Sequence, residues 1–420
     1  MDAVRGVGIR FAHWRLGVVL LAISMAVVAV ESGSGPAYAG VALVSGQAGN
    51  LAGVSAYSAT DAWVVGSTGN GFFPPSETTT AHWNGTSWSQ VASPNPAGSA
   101  GENRLESVSD LSPNTAWAVG YDFDSATDSQ LTLVLFWNGT TWTQQSTPNP
   151  GGTSSGESFL YGVTAVSPSD AWAVGEYLDS TTGDVDSLVL HWNGTVWTQV
   201  ASPNPATSGN TLSAVTGISA TDAWAVGTYT NAATDASETF VVHWNGHSWS
   251  QVPSPNPAGV TTYGSQSVLN SVSAISPSDI ESVGWYQTSP TSAPAETLAL
   301  RWNGHQWDQM PTPNPGGTTS DSDASHLFGV SIVSATDAWA VGAYTNPKTE
   351  AVQTLTLRWN GKAWDQTASP NPGGTKSQGD IGQLFGVSTV SAKDAWAIGD
   401  YGGQPETLLL HWNGSNWSKA

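Results

Sequence analysis

Two pairs of aspartates have a spacing that could bind a metal ion. Asp122 and Asp124 are separated by one residue, with Asp128 nearby, and Asp184 and Asp186 repeat that spacing. Carboxylate oxygens are the hard ligands that calcium prefers, but neither spacing matches a full EF-hand loop. Solvated acidic loops also explain both pairs. We therefore predict no metal site and no cofactor, with calcium binding at these loops as the alternative.

Tyrosines at one recurring position form a second candidate site. Each lies two residues after a glycine, and the set comprises Tyr177, Tyr229, Tyr286, Tyr344 and Tyr401. Aromatic rings carried at one height could stack on sugar rings, while neighbouring Asn, Ser and Thr side chains supply hydrogen bonds. We predict that these five residues bind the ligand. The alternative is that their rings cap the seams between neighbouring structural units.

The tyrosines belong to a repeat that fills most of the chain. An Asp-Ala-Trp motif or a close copy places tryptophan at Trp63, Trp117, Trp172, Trp224, Trp339 and Trp396, and Glu281 takes that place once. A Trp-Asn-Gly motif begins at Trp83, Trp137, Trp192, Trp244, Trp302, Trp359 and Trp412, and each time another tryptophan follows five residues later. The sequence thus contains seven repeats, spaced 52 to 58 residues apart.

Each repeat predicts four short strands. In the fourth repeat they are LSAVTGIS (Leu212–Ser219), AWAVGTY (Ala223–Tyr229), ETFVVHW (Glu238–Trp244) and WSQVPS (Trp249–Ser254). Asn-Gly between the last two strands is a strong hairpin signal, since both residues tolerate positive φ. Four antiparallel strands repeated seven times predict an all-β fold, a seven-bladed β-propeller over residues 40–420.

The end of the chain suggests how the ring closes. The last repeat stops at Ala420, just as its fourth strand begins, and VALVSGQAGNL (Val41–Leu51) resembles the missing piece, with Val41–Gly46 as the segment that would supply the strand. We therefore predict that the N-terminal strand completes the last blade and closes the ring. We expect the recurring tryptophans to pack between blades, and the blade with Glu281 to be the least well packed, with Trp285 partly covering the gap.

The hairpin HWNGTVW (His191–Trp197) resembles the Asp-box hairpin of bacterial neuraminidase-repeat propellers, although Asn replaces the acidic residue and the usual Ser is absent. DAWAVG followed by a short hairpin also resembles kelch-like and photosystem II assembly-factor-type propellers. The sialidases of the first group use an arginine cluster, whereas residues 40–420 contain three arginines, Arg104, Arg301 and Arg358. Galactose-oxidase-type copper chemistry needs a cysteine, and the chain has none. We therefore expect no enzymatic activity.

The first 39 residues predict a signal peptide. Arg5, Arg10 and Arg15 precede a fifteen-residue apolar run, Leu16–Val30, and an Ala37-Tyr38-Ala39 cleavage signature follows. An uncleaved anchor is the alternative, and we expect no other membrane contact. The net charge of −21 becomes −22 after cleavage, with eight lysines and arginines left. So few cations cannot neutralise many phosphates, which excludes a nucleic-acid partner.

Connection lengths divide each repeat into a constant and a variable end. The first-to-second and third-to-fourth turns keep nearly one length, whereas the second-to-third loop and the crossover to the next repeat vary. The two variable connections leave the same face, as binding loops on a scaffold do. We predict a secreted, monomeric, non-enzymatic protein that binds a glycan or an extracellular protein on this face. The acidic surface favours neutral glycans. A sialidase-like or other glycoside hydrolase and a purely structural extracellular protein are the alternatives.

Overall fold

The described part of the chain consists of β-strands, four in each repeat. The computed structural model describes residues 49–68, 75–260, 263–290, 292–320, 322–403 and 405–420. The first strands of the repeats are β1 (Gly49–Ser58), β5 (Glu102–Ser112), β9 (Ser158–Ser167), β13 (Asn210–Ser219), β17 (Gln266–Ser276), β21 (Ser325–Ser334) and β25 (Gly382–Ser391). The second strands are β2 (Asp61–Thr68), β6 (Thr115–Asp124), β10 (Asp170–Leu178), β14 (Asp222–Asn231), β18 (Asp279–Gln287), β22 (Asp337–Thr345) and β26 (Asp394–Tyr401). The third strands are β3 (Thr78–Trp83), β7 (Ser129–Trp137), β11 (Val185–Trp192), β15 (Ala236–Trp244), β19 (Glu296–Trp302), β23 (Val352–Trp359) and β27 (Glu406–Trp412). The fourth strands are β4 (Trp88–Val91), β8 (Trp142–Gln145), β12 (Trp197–Gln199), β16 (Trp249–Gln251), β20 (Trp307–Met310), β24 (Trp364–Thr367) and β28 (Trp417–Lys419).

The strands form six antiparallel sheets in which neighbours in sequence are neighbours in space. Five sheets contain the four strands of one repeat each. The sixth contains the four-stranded sets of the fourth and fifth repeats, joined by one parallel pairing between Ser237 and Gln266. The predicted all-β fold of four-stranded antiparallel blades is therefore confirmed. Within the described residues no helix is long and apolar enough to cross a membrane.

The Asn-Gly turn between the third and fourth strands is stabilised by local hydrogen bonds. In the third repeat the side-chain oxygen of Asn193 accepts hydrogen bonds from the backbone N–H groups of Thr195 and Val196, at 3.0 and 3.1 Å. Gly194 has φ = +91°, a conformation that favours glycine. The predicted Asn-Gly hairpin is thus present, and it fixes the register of the third and fourth strands.

The recurring tryptophans fill the surfaces between consecutive sheets, here called seams. Trp172 of the third repeat is 1% exposed and packs against Ala223 and Ala225 of the fourth. Its ring centroid lies 4.9 Å from that of Trp244 and 5.1 Å from that of Trp249, both also in the fourth repeat. The prediction that these tryptophans pack between blades is confirmed, and each seam of this type brings three indoles together.

The aspartate before each of these tryptophans has a role that the sequence did not suggest. The carboxylate of Asp170 pairs with His191 Nε2 at 2.8 Å, and the centroid of that imidazole lies 4.2 Å from that of the Trp172 ring. Equivalent aspartate–histidine pairs are Asp61–His82, Asp222–His243 and Asp394–His411. The second repeat has Thr115 in place of the aspartate and Phe136 in place of the histidine, so the two positions change together.

The seam that lacks the tryptophan is filled by an arginine. Glu281 is buried and lies 3.3 Å from Arg301, whose guanidinium carbon is 5.3 Å from the ring centroid of Trp359. Trp285 packs instead against His326, with the ring centroids 4.9 Å apart. The expectation that Trp285 would cover the gap is therefore wrong, because the salt bridge with Arg301 occupies it.

The last repeat contacts the first as each repeat contacts the next. Trp396 lies 5.0 Å from both Trp83 and Trp88, and the Ala56 N–H donates to Ser388 Oγ at 2.9 Å. First strands of consecutive repeats contact one another, and β25 likewise contacts β1. The last sheet contains its own fourth strand, β28, which is as long as β12. The predicted closing segment, Val41–Gly46, and the signal peptide lie outside the described residues.

Candidate functional site

The five predicted tyrosines lie at the ends of the second strands, each paired with a third-strand residue of its own sheet. The Tyr229 hydroxyl donates to Glu238 at 2.6 Å and the Tyr344 hydroxyl to Gln353 at 2.7 Å. The other three tyrosines are Tyr177, Tyr286 and Tyr401. Each of the five rings is partly buried against the hydrophobic cluster of one seam. The rings are therefore spread one to a seam and share no common pocket among the described residues.

The acidic loops do not gather into a metal centre in the described part of the chain, where no three His, Cys, Asp or Glu side chains are placed to hold one ion. Asp124 accepts hydrogen bonds from the Ala126 N–H at 2.8 Å and the Thr127 hydroxyl at 3.0 Å. Asp186 accepts from the Tyr177 hydroxyl at 3.5 Å. Both carboxylates thus have partners within their own repeats.

At three positions near the variable end of each repeat, the residue type differs from one repeat to the next. Two flank the constant leucine of the first strand, and the third follows the constant glycine of the second strand. The residues before the leucine are Asn50, Arg104, Phe159, Thr211, Val268, His326 and Gln383. Those after it are Ala52, Glu106, Tyr161, Ser213, Asn270, Phe328 and Phe385. Those after the glycine are Ser67, Tyr121, Glu176, Thr228, Trp285, Ala343 and Asp400. Because the first strands of consecutive repeats contact one another, these positions adjoin one another from repeat to repeat and form a partly buried surface.

Charged groups collect on this surface in the second and third repeats. Arg104 Nε lies 3.2 Å from Glu106 Oε1, and the Tyr121 hydroxyl donates to Glu102 Oε1 at 3.4 Å. The Arg104 guanidinium carbon is 5.6 Å from the Tyr121 ring centroid. Burial raises the pKa of Glu102, and the positive charge of Arg104 opposes that shift. The arginine is therefore held between two carboxylates and an aromatic ring.

A third carboxyl group, that of Glu176, is in the neighbouring third repeat, where Glu176 pairs with Phe159, whose ring lies 5.0 Å from that of Tyr121. The Tyr161 hydroxyl donates to Glu176 Oε1 at 3.0 Å, and the Thr211 hydroxyl donates to Glu176 Oε2. Burial raises the pKa of Glu176, while these two hydrogen bonds oppose the shift. Burial, followed by the charge of Glu176, raises the pKa of the Tyr161 phenol well above its usual value. We call the six residues Glu102, Arg104, Glu106, Tyr121, Tyr161 and Glu176 the acidic cluster.

Aromatic rings flank the acidic cluster and recur on a distant part of the same surface. Phe159 and Tyr161 lie side by side, with ring centroids 6.1 Å apart and planes at 7°. His326 and Phe328 occupy the equivalent positions of the sixth repeat, at 6.0 Å and 3°. Phe385 lies 5.9 Å from Phe328. Two flat aromatic patches thus occupy equivalent positions of the third and sixth repeats, with carboxylates beside the one in the third repeat.

Sequence reasoning missed the acidic cluster because it looked for residues that recur. The five tyrosines stand out by repetition, whereas Glu106 and Tyr161 stand out only when seven repeats are aligned and the positions that differ are read down the columns. Such an alignment needs nothing but the sequence. What it cannot provide is the knowledge that first strands of neighbouring repeats lie side by side.

Comparison with known proteins supports the fold. No protein-family model matches the sequence, and a comparison with curated proteins finds no match. Among solved structures, a GH74 xyloglucanase from Xanthomonas campestris has a TM-score of 0.54 at 12% identity, covering 91% of this chain and 55% of that chain. A PL25 ulvan lyase has a TM-score of 0.53 at 9% identity, covering 90% and 97%. YCF48 bound to D1 peptide has a TM-score of 0.48 at 12% identity, covering 91% and 99%. The chain has a β-propeller fold with four-stranded blades, and at these identities the similarity concerns the fold alone.

Proposed function

We propose that the chain is an exported seven-bladed β-propeller that binds a neutral glycan, without altering it chemically, at the acidic cluster. The observation that carries this proposal is the loss of the repeat pattern at three equivalent positions on one surface. Elsewhere the repeats keep their tryptophans, alanines and hairpins, which serve packing. Side chains that depart from the repeat where the variable connections leave the sheets are the ones free to serve recognition.

Seven blades closed into a ring are part of this proposal. The contacts of Trp396 with Trp83 and Trp88 match those within every other tryptophan seam. The bond from the Ala56 N–H to Ser388 Oγ, at 2.9 Å, matches the bond from Ala165 to Ser109, at 3.0 Å. Equivalent contacts on both sides of the first repeat support a ring in which the first strands surround a central channel. The acidic cluster then lies at the mouth of that channel.

The chemistry of the surface favours a sugar. Flat rings such as the Phe159–Tyr161 pair offer apolar faces to a pyranose ring, and carboxylates such as Glu106 accept hydrogen bonds from its hydroxyl groups. A net charge near −22 repels anionic polysaccharides. A neutral oligosaccharide satisfies both conditions, and an extracellular protein partner is the competing ligand class.

An array of neutral and anionic oligosaccharides tests the proposal. Fluorescently labelled protein should bind neutral members and leave uronic-acid and sulfated members unbound at physiological salt. Binding confined to anionic members would refute the electrostatic reasoning. No binding to any glycan, together with capture of one defined extracellular protein, would move the function to the competing class.

Glycoside hydrolysis is a second candidate, and Glu176 favours it. A buried carboxyl with a raised pKa can act as a general acid, and Glu106 supplies a further carboxylate in the same cluster. Incubation with the neutral glycans found on the array should leave the reducing-end concentration unchanged if the chain only binds. Release of reducing ends that Glu176→Gln abolishes while binding persists would establish the hydrolase instead.

Export follows from the predicted signal peptide. Expression of the full chain in a bacterial host should yield extracytoplasmic protein whose mass corresponds to a chain beginning at Gly40. Retention of residues 1–39 in a membrane fraction would establish the uncleaved anchor.

A further inference from the structure

A cavity of about 280 Å³ opens at the variable end of the second repeat, apart from the acidic cluster. It is lined by residues of β6, β7 and the segment from β8 to Asn149, with Pro96 of the preceding crossover on one side. Its volume is at the lower limit of small-molecule pockets, which suits one side chain or one small ring.

The cavity exists where a tyrosine is replaced. Asp122 pairs with Asn103 and Leu131 across the sheet, as Tyr229 pairs with Asn210 and Glu238 in the fourth repeat. Five repeats carry the tyrosine at this position, and each of those rings covers a seam. The hydrophobic cluster of the seam between the first and second repeats contains no such ring. The shorter aspartate leaves the space open.

Asp122 faces this space without a partner. The residue is 4% exposed, lines the cavity, and accepts no hydrogen bond from any residue in the described ranges. Burial raises its pKa to about 7, and the nearby charge of Asp124 adds to the shift. A buried carboxylate without a partner is costly, and a bound counter-charge removes that cost.

The other residues that line the cavity indicate which kind of cation it could bind. Asp124 contributes a second carboxylate, and no lysine, arginine or histidine lines the cavity. Thr132, Thr147 and Asn149 are already hydrogen-bonded to one another. The same arrangement recurs in other repeats, for example between Thr239 and Ser254 at 2.7 Å, so these groups serve the fold. The carboxylate of Asp122 is what remains for a ligand, and Asp124, whose oxygens already accept hydrogen bonds from Ala126 and Thr127, adds negative charge beside it.

We propose that this cavity binds a primary alkylammonium group, carried by a lysine side chain of a protein partner or by an amino sugar. An ammonium group donates up to three hydrogen bonds, which the Asp122 carboxylate and a side-chain amide oxygen such as that of Gln144 can accept. The cavity is separate from the proposed glycan site, so the two proposals stand or fall independently.

The test uses two charged probes and their uncharged partners. Nα-acetyl-lysine methylamide and glucosamine represent the two sources, and Nα,Nε-diacetyl-lysine methylamide and N-acetylglucosamine are the matching probes without the charge. Binding of a charged probe, followed by ligand-observed NMR, should disappear for the matching acetylated probe. Which charged probe binds more tightly identifies the source.

Substitutions at Asp122 test whether the probes bind in this cavity. Asp122→Asn and Asp122→Tyr should each weaken probe binding at least about 10-fold, the loss of one charge-assisted interaction. Asp122→Tyr restores the residue that five repeats carry, so it should melt no lower than the wild type. Asp184→Asn, which removes a carboxylate of the third repeat outside the cavity and outside the acidic cluster, should leave probe binding unchanged.

The pH dependence gives a second readout. Only the ionised carboxylate attracts an ammonium group, and a pKa near 7 leaves about one tenth of Asp122 ionised at pH 6 and about nine tenths at pH 8. The affinity of the lysine probe, whose ammonium group stays charged over this range, should therefore fall about 10-fold from pH 8 to pH 6. Equal binding of the diacetylated lysine probe, or full affinity of the charged lysine probe for Asp122→Asn, would overturn the proposal. So would Asp122-dependent calcium binding in a protein that binds neither amine.

Discussion

Removal of one indole at each of two seams tests whether the repeats form a closed ring. Trp172→Ala opens the seam between the third and fourth repeats, and Trp396→Ala opens the seam between the seventh and the first. The two side chains are 1% and 2% exposed, and each contacts two indoles of the adjoining repeat. In a closed ring the two substitutions remove equivalent contacts.

The expected magnitude follows from burial. A tryptophan that buries roughly 200 Å² contributes about 5 kcal/mol at 25 cal/mol per Å². Truncation of buried tryptophan to alanine costs about 3–5 kcal/mol in measured series. We therefore expect each variant to lose about 4 kcal/mol, which lowers the melting temperature by about 5 °C in a chain of this size. The two losses should agree within about 1 kcal/mol.

Differential scanning calorimetry of the purified protein measures both losses. Tyr263→Ala, at a residue that is 75% exposed, is the control and should melt with the wild type. A loss for Trp172→Ala without one for Trp396→Ala would mean that the first and last repeats are apart in solution. That result would refute the closed ring.

Three further predictions concern pH, one salt bridge and the tyrosines. Burial and the charge of Asp61 raise the pKa of Asp110 to about 8, so this carboxyl lowers the free energy of unfolding as pH rises from about 4 to 8. Asp110→Asn should therefore melt about 2 °C or more above the wild type at pH 8 but not at pH 4, whereas Asp184→Asn, in a loop, should not. Glu281→Trp should be neutral or stabilising, because in the sixth repeat Trp339 already packs against Arg358, whose guanidinium carbon is 5.3 Å from the ring centroid. A decrease of more than about 2 kcal/mol in the free energy of unfolding, measured by chemical denaturation, would contradict this. If these rings bind the ligand, Tyr229→Ala and Tyr344→Ala should weaken glycan binding with little change in melting temperature. If the rings cap seams, both variants should melt several degrees lower and keep glycan binding.

The fold could be predicted because its determinants repeat. Asn-Gly turns, alternating strands and a tryptophan opposite small residues occur seven times or nearly so, and each occurrence reinforces the others. The packing of Trp172 on Ala223 and Ala225 follows directly from that alternation. Local patterns of this kind are visible without knowledge of which strands become neighbours.

The candidate site could not be predicted in the same way. Arg104, Tyr161 and Glu176 belong to different strands, and their proximity depends on how the sheets are placed side by side. The role of Asp170 was missed for a similar reason, since its partner His191 lies 21 residues away on the third strand. Pairings between strands needed the three-dimensional arrangement, although the joint change of Thr115 and Phe136 was present in the sequence.

The proposed glycan site is tested most directly by calorimetric titration of the neutral oligosaccharide that ranks highest on the array. Tyr161→Ala removes a ring of the aromatic patch and the donor to Glu176, and Ser213→Ala alters the equivalent position of the fourth repeat. We predict that Tyr161→Ala weakens binding at least about 10-fold, or about 1.4 kcal/mol, and that Ser213→Ala leaves it unchanged. Wild-type affinity in a correctly folded Tyr161→Ala protein would contradict the assignment of the acidic cluster as the binding site.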